Sequence, residues 1–548
     1  MKHRNPRTRL GTHEVTNQAS PFEDVNLYQA DTALRETVQR AGAAPAAAAC
    51  NALGERAGSA EVQQWAARAN GNPPRLCAFD RFGRRLDEVE FHPDYHRLMA
   101  LGLETRVSSI AWTSAQGGHA AHTALMYLLT QADAGVCCPF SMTYASVAAL
   151  RHQPEVAEEW EPRITAAAYD GRSLPAAEKT GVTIGMAMTE KQGGSDVRAN
   201  TTSAARTGTA GEYELTGHKW FCSAPMSDAF LTLARTGAGL SCFLMPRWRP
   251  DGTRNAIRIV RLKDKLGDRS NASAEIELDA AWGRLVGEEG HGVRTILDMV
   301  QGTRLDCLAG SAGLMRAALA NAIHHCSERR AFGRELIRQE AMARVLADLA
   351  LEQEAALALA FRVARAFDGA AQSDHEAALA RILTPIAKYW VCKRAPGFIY
   401  EAMECLGGNG YVEESPLPRL FRQAPVNSIW EGSGNVIALD TLRAIGRQPV
   451  VLGALLAELD EARGFDERLD RKVLALKDST GNLAEANARH FVESMALAFQ
   501  AAILARTAPA VVAEAFVRAR LGEDCGHTYG AFAGDIDTAA LIERALPL

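Results

Sequence analysis

The segment Ser428-Ile-Trp-Glu-Gly-Ser-Gly-Asn435 holds one carboxylate, Glu431, between an indole and a glycine. An apolar neighbour withdraws water from a carboxylate and raises its pKa, and adjacent glycines let a substrate come close. Such a group suits a general base. Read alone, the segment also fits a helix-entry loop with an exposed Glu. In Ala187-Met-Thr-Glu-Lys-Gln-Gly-Gly-Ser-Asp196, Gly193 and Gly194 lie between Thr189 and Ser195. Backbone N–H groups and hydroxyls there can approach an anion or a planar ring edge, or form a plain turn. Gly217-His-Lys-Trp-Phe-Cys-Ser223 sets Trp220 and Phe221 beside Ser223. That is a flat wall and a hydroxyl for an aromatic cofactor, or simply a strand packed on the core. Glu328-Arg-Arg-Ala-Phe-Gly333 offers Arg329 or Arg330 as a fork for a pyrophosphate, or a solvated helix end.

Four stretches must position these residues. Residues 1–183 read as helices with loops. The clearest helix runs from about Gly118 to Ala134, with Leu125, Leu128, Leu129 and Ala132 on one face and Gly135 and Pro139 after its end. The alanine-rich tract Ala43–Ala49 reads as a helix start, and Phe79–Phe91 as turns and short extended pieces. Residues 184–287 read as a small antiparallel β domain. Its signals are Tyr213-Glu214-Leu215, Ile257-Arg258-Ile259 and Ala274–Leu278, with turns at Gly217-His218 and Asp251-Gly252. Residues 288–446 regain the helical period, best over Arg304–His325 and Glu340–Phe367, and predict an antiparallel helix bundle. Residues 447–548 form an extra helical domain. The fold class is therefore mainly α with a central antiparallel β domain. This order is not the alternating βαβ pattern of a nucleotide-binding sheet, and neither G-x-G-x-x-G nor a P-loop occurs.

Composition narrows the function. Lys plus Arg is 60 and Asp plus Glu is 65 in 548 residues, a net charge of -5. That excludes a protein that coats nucleic acid by bulk positive charge. A hydrophobic fraction of 47% with 23% charged residues excludes wholesale disorder. The 11 cysteines are odd in number and make no C-x-x-C pair, so no zinc site or other metal centre and no disulfide framework is expected, and a cytoplasmic location fits. The basic start Met1–Glu14 has no apolar run behind it and reads as a frayed terminus rather than a signal peptide. No stretch of about 18 apolar residues suggests a membrane span.

The order and spacing of the motifs resemble the acyl-CoA dehydrogenase family over roughly residues 90–445. Carrying the resemblance are Met188-Thr-Glu with Gly193-Gly-Ser-Asp196, Lys265-Leu-Gly-Asp-Arg-Ser270, Leu285-Val-Gly-Glu-Glu-Gly-His-Gly292, Thr303-Arg304, Arg329-x-x-Phe332-Gly333, Gly407-Gly-Asn-Gly410 and Trp430-Glu-Gly432. The long N-terminal region, Asn427–Asn435 and the added C-terminal helices resemble the AidB-like subfamily, flavoproteins of the bacterial response to DNA alkylation. The resemblance implies a helical N-terminal domain, a barrel-like middle domain and a four-helix bundle, with FAD between the last two. It gives Met188, Thr189, Gly194 and Ser195 to the flavin, and Phe221, Cys222 and Ser223 to a segment packed on its ring. Gly407, Gly408, Trp430, Gly432, Ser433 and Asn435 are further flavin contacts. Arg329 and Phe332 would reach the FAD of a neighbouring subunit in a homotetramer. Thr303 and Arg304 are assigned to the substrate, and Glu431 is the catalytic base.

The implied chemistry is α,β-dehydrogenation of an acyl-CoA thioester, with electron-transfer flavoprotein as a partner. Three positions depart from the family: Glu404 stands where many members have Gln, Gln423 replaces a usual acidic residue or Asn, and Gln339 lies one residue closer to Phe332 than usual. An alternative implied by the subfamily is a flavoprotein that binds double-stranded DNA and protects it or repairs alkylation. Residues 447–548 carry 11 Lys and Arg against 15 Asp and Glu, so such binding would rest on local groups: Arg468, Arg471, Lys472 and Lys477, or Arg518 and Arg520. An oxidase or monooxygenase on the same fold is a third reading.

Overall fold

Asp133 decides how the N-terminal helices are broken. Its side chain accepts from the Gly135 N–H and starts the helix Ala134–Leu150 directly after Gly118–Thr130. A computed structural model describes residues 6–546, so the first five residues of the basic start lie outside the described residues. Gly135 and Pro139, expected beyond a helix end, lie inside the second helix. Nearly all of that helix is buried, and packing offsets the hydrogen bond that Pro139 cannot donate. The Ala43–Ala49 tract does begin a helix, through a single 3-10 turn at Ala44–Ala46 and then Ala47–Ala57. Strands β1 (Arg75–Phe79) and β2 (Arg85–Glu90) form an antiparallel hairpin.

The middle region contains β3 (Ile184–Ala187), β4 (Ser203–Arg206), β5 (Glu212–Ser223), β6 (Ala229–Thr236), β7 (Gly239–Pro246), β8 (Ile257–Leu262) and β9 (Ser273–Val286). The order is β3-β6-β4-β5-β9-β7, and the pairing of β6 with β7 closes the ring. The sheet is not wholly antiparallel: β3 and β4 both run parallel to β6. Gly217-His218 is not a turn but part of β5, where the register shifts between Leu215 and Gly217. Asp251-Gly252 is a turn between β7 and β8.

Three long helices, Gly292–Glu328, Glu340–Gly369 and Asp374–Cys405, form the centre of the bundle. Leu417–Asn427 and Gly434–Arg447 cross its end. The C-terminal helices, including Ala488–Thr507 and Ala510–Leu521, share one continuous hydrophobic core with the bundle. A second core joins Ala134–Leu150, the barrel and Met299, and Trp430 packs against it. Among the described residues no helix is long and apolar enough to cross a membrane, and no cluster of metal-ligating side chains occurs.

Candidate functional site

Glu431 occupies the turn between Leu417–Asn427 and Gly434–Arg447. It has φ of 58° and is followed by Gly432 at 106°. A side-chain-bearing residue in the left-handed region costs about 1–2 kcal/mol, so the surroundings must hold it there. Two cations do so through backbone carbonyls. Arg304 Nε donates to the Glu431 carbonyl at 3.0 Å. Lys388 Nζ donates to the carbonyls of Trp430 at 2.8 Å and Gly432 at 2.7 Å. Lys388 is 1% exposed, and a buried ammonium requires such partners. The far side of the Arg304 guanidinium meets Asp440 at 2.9 Å, and Arg381 meets the same carboxylate at 3.1 Å. The indole is fixed by Trp430 Nε1 donating to Asn427 Oδ1 at 3.0 Å.

The Glu431 carboxylate itself has a different environment. Thr303 Oγ1 donates to its Oε2 at 2.9 Å, and among the described residues no cation pairs with it. Burial raises its pKa above the ordinary Glu range; the Thr303 hydrogen bond and the charges of Arg304 and Lys388 oppose this without cancelling it. A carboxylate raised by burial and aligned by a hydroxyl is suited to accept a proton from carbon. Arg304 is buried, with Nε on the Glu431 carbonyl and Nη1 on Asp440. Through that carbonyl it braces the turn that carries the base.

On the barrel, the loop after β3 is shaped by a buried ion pair. Glu190 accepts from Lys219 Nζ at 2.9 Å and from the Thr201 N–H at 2.7 Å, and both charged side chains are fully buried. The pair ties the loop to β5, as does the Trp220 N–H donating to the Thr189 carbonyl at 2.8 Å. Asn200 Nδ2 holds the Met188 carbonyl at 2.8 Å. Gly194 and Ser195 are left exposed at the loop's outer edge. Along β5, Cys222 is buried, Phe221 is 50% exposed, and the Ser223 hydroxyl lies 3.2 Å from that of Ser273. An open aromatic face, hydroxyls and glycine backbone make a donor set that fits a planar heteroaromatic ring with an anionic tail.

Cys138, on the helix Ala134–Leu150, is buried, and burial pushes its thiol up to about 12. Arg329 and Phe332 are elsewhere: the long helix carries the chain about 39 Å from Thr303 to its far end. There Arg329 donates to the Asn17 carbonyl, and Phe332, at φ 52°, is 98% exposed. Gly407 and Gly408 lie near this end, exposed, with open space beside them. Gln339 braces the Arg330–Glu335 hairpin, its Nε2 donating to the Ala331 carbonyl at 3.0 Å. Gln423 is buried on Asp133 at 3.2 Å. Glu404 is exposed.

Of the groups expected to face DNA, Arg520 is turned inward onto Asp348 at 2.7 Å and Glu352 at 2.8 Å, and is not available to a phosphate. Arg518 donates to the Asp535 carbonyl. Arg468 pairs with Asp466 at 2.7 Å and Lys477 with Asp460 at 2.6 Å. Sequence reasoning missed Lys388, Asp440, Cys138 and Lys219. Lys388 carried a signal, since it is the one charge within the apolar run Leu383–Cys392.

Three family descriptions match the chain in succession. The adaptive response protein AidB N-terminal domain covers residues 17–171, the acyl-CoA dehydrogenase middle domain 185–281, and the acyl-CoA dehydrogenase C-terminal domain 290–446. The chain is similar to AidB of Escherichia coli (strain K12), with 46% identity over 93% of this chain and 94% of that one. The crystal structure of Caenorhabditis elegans ACDH-11 in complex with C11-CoA is similar at 28% identity and a TM-score of 0.85, covering 97% of each chain. The acyl-CoA dehydrogenase of Bacillus anthracis complexed with FAD shares the fold at a TM-score of 0.65 and 15% identity, over 82% of each chain.

Proposed function

The chain belongs to the acyl-CoA dehydrogenase family, with an AidB-type N-terminal domain and FAD as its cofactor, and from that premise we propose that it oxidises an acyl-CoA thioester at its α,β bond with Glu431 as base. The observation that carries this reading is the half-buried Glu431, its carboxylate held by Thr303 and kept free of cations in a turn braced by Arg304 and Lys388. Thr303 holds Oε2, which leaves Oε1 to take the α-proton. Arg304 and Lys388 fix the backbone on both sides, so the carboxylate keeps one direction as its charge is lost. FAD, when bound, supplies the two-electron acceptor for the hydrogen leaving the β-carbon. Thr189, Gly194, Ser195, Phe221 and Ser223 would hold it on the barrel side, and Trp430, Ser433 and Asn435 on the bundle side. The C11-CoA bound by the C. elegans relative supports an acyl-CoA as the ligand here.

The test is anaerobic titration of the flavin-loaded protein with short and branched acyl-CoAs, followed by visible absorbance. Bleaching of the flavin at stoichiometric ligand is the expected result. A flavin that no acyl-CoA reduces overturns the reading. We infer further that the protein is a homo-oligomer, a homotetramer by its resemblance to the family, because Arg329 and the bare Phe332 ring lie too far from Glu431 in the same chain to serve its flavin and could reach only a neighbouring chain's. Light scattering giving a monomer would refute this.

A further inference from the structure

The helix Pro93–Glu104, the segment 169–183 that leads into the barrel and the turn after β5 meet around a cavity of about 60 Å³. None of its lining residues is assigned to flavin or acyl-CoA, although Ala224 follows Ser223 and Pro139 follows Cys138 in the chain. Its walls are largely aromatic. Phe91 and Tyr95 stack with ring centroids 4.1 Å apart, and His96 lies over Tyr169 at 5.9 Å. Met99 and Met226 add soft apolar surface. The charged groups of the wall are paired: Lys179 meets Asp228 at 2.6 Å, and Asp170 meets Arg172 at 2.6 Å. His96 Nδ1 and the Tyr169 hydroxyl share a hydrogen bond of 2.7 Å. Two neutral hydroxyls are left over. Tyr95 is 5% exposed, and its hydroxyl has no hydrogen-bond partner among the described residues. Ser227 is 2% exposed, and its Oγ has none either. A buried hydroxyl without a partner is costly, so a ligand atom there gains what the fold forgoes. Burial holds the Tyr95 hydroxyl well above its ordinary range and His96 below its own, so both stay neutral.

We propose that this cavity binds a small neutral planar molecule, of the size of a five-membered heteroaromatic ring, that hydrogen-bonds with Tyr95 and Ser227. A water needs about 10–15 Å³ of such space, so the cavity takes about four to six of them, or a molecule with about as many non-hydrogen atoms. Flat rings and thioethers favour a planar body. Paired charges and neutral hydroxyls favour a ligand without net charge, since a buried ion would find no counter-charge free. The site stands apart from Glu431, and its occupancy does not depend on acyl-CoA turnover.

The experiment titrates the flavin-loaded full-length protein with pyrazole and, separately, with thiophene, a ring of the same size without an N–H, reading the ligand's NMR line widths and shifts. Pyrazole is expected to fill a single saturable site per chain. Tyr95→Phe keeps the ring and removes only the hydroxyl. It should weaken pyrazole by about 3- to 10-fold, the range of one neutral hydrogen bond, and leave thiophene within about twofold. Ser227→Ala gives a loss of the same kind. Absence of saturable pyrazole binding in the wild type overturns the proposal, as does pyrazole affinity within about twofold of wild type in both variants. Equal losses for pyrazole and thiophene also overturn it, because they report a changed cavity and not a lost hydrogen bond. Ser227→Ala removes only an unpartnered hydroxyl and keeps the test open if Tyr95→Phe does not fold.

Discussion

Two glutamates, one half-buried in the Glu431 turn and one buried between the bundle and the C-terminal helices, titrate in opposite directions. Glu352 is 2% exposed, receives Arg394 at 3.1 Å and Arg520 at 2.8 Å, and falls to about 2, because the Arg394 and Arg520 charges override the burial that would raise it. Glu431 is raised, because burial there meets only a hydroxyl and cations whose donors are already engaged by carbonyls and Asp440. Burial alone does not decide whether a carboxylate locks a fold or accepts protons. The geometry of the nearest cations does. Arg304 and Lys388 stand close enough to brace Glu431's backbone without neutralising its carboxylate.

Breaking the reactive side of this contrast has the largest expected effect. Glu431→Gln should slow acyl-CoA-dependent flavin reduction by roughly 10²- to 10⁴-fold while the visible flavin spectrum persists, measured in an anaerobic stopped-flow. Breaking the locking side comes next. Arg520→Ala strands Glu352 and Asp348 without one of their cations and should destabilise the fold by about 3–5 kcal/mol in urea unfolding. If Arg520 bound DNA instead, that variant would keep its stability.

The two carboxylates also separate by pH. Glu352 has a folded pKa below its unfolded one, so its contribution is complete above the ordinary Glu value of 4.5 and is lost as pH falls towards about 2. Glu352→Gln should flatten stability over that interval. Glu431 must be ionised to act, so flavin reduction should rise with pH through its raised pKa. Thr303→Val removes the hydrogen bond that favours the charged form and should move the rising limb to higher pH; a limb unchanged in position would mean that Thr303 does not tune the base. The smallest effect sharpens the contrast within one helix: Arg518→Ala should change stability by no more than about 0.5 kcal/mol, because Arg518 meets a backbone carbonyl where Arg520 meets two buried carboxylates.

Much of the fold is written in local spacing. The helical period over Arg304–His325 and Glu340–Phe367 falls within Gly292–Glu328 and Glu340–Gly369, and the alternating runs at 213–215, 257–259 and 274–278 all fall in strands. Local rules failed where burial or distant pairing prevailed. Pro139 stays in a helix because that helix is enclosed on all sides and Asp133 starts it. Gly217-His218 stays in β5 because β9 pairs with it across a register shift. The parallel pairings of β3 and β4 with β6 leave no mark in a period-2 pattern.

The sequence by itself determined which side chains could do chemistry: a carboxylate between Trp430 and Gly432, the loop from Thr189 to Ser195, and the Phe221–Ser223 face. Those choices are local, since each depends on neighbours a few residues away. Only the tertiary structure decided what each group would become. Thr303 lies 128 residues from Glu431 and Arg520 lies 168 from Glu352, so chain packing chose one hydroxyl for the first carboxylate and two guanidinium groups for the second. A charge's free energy depends on what lies within a few ångströms of it in space, and separation along the chain does not specify that.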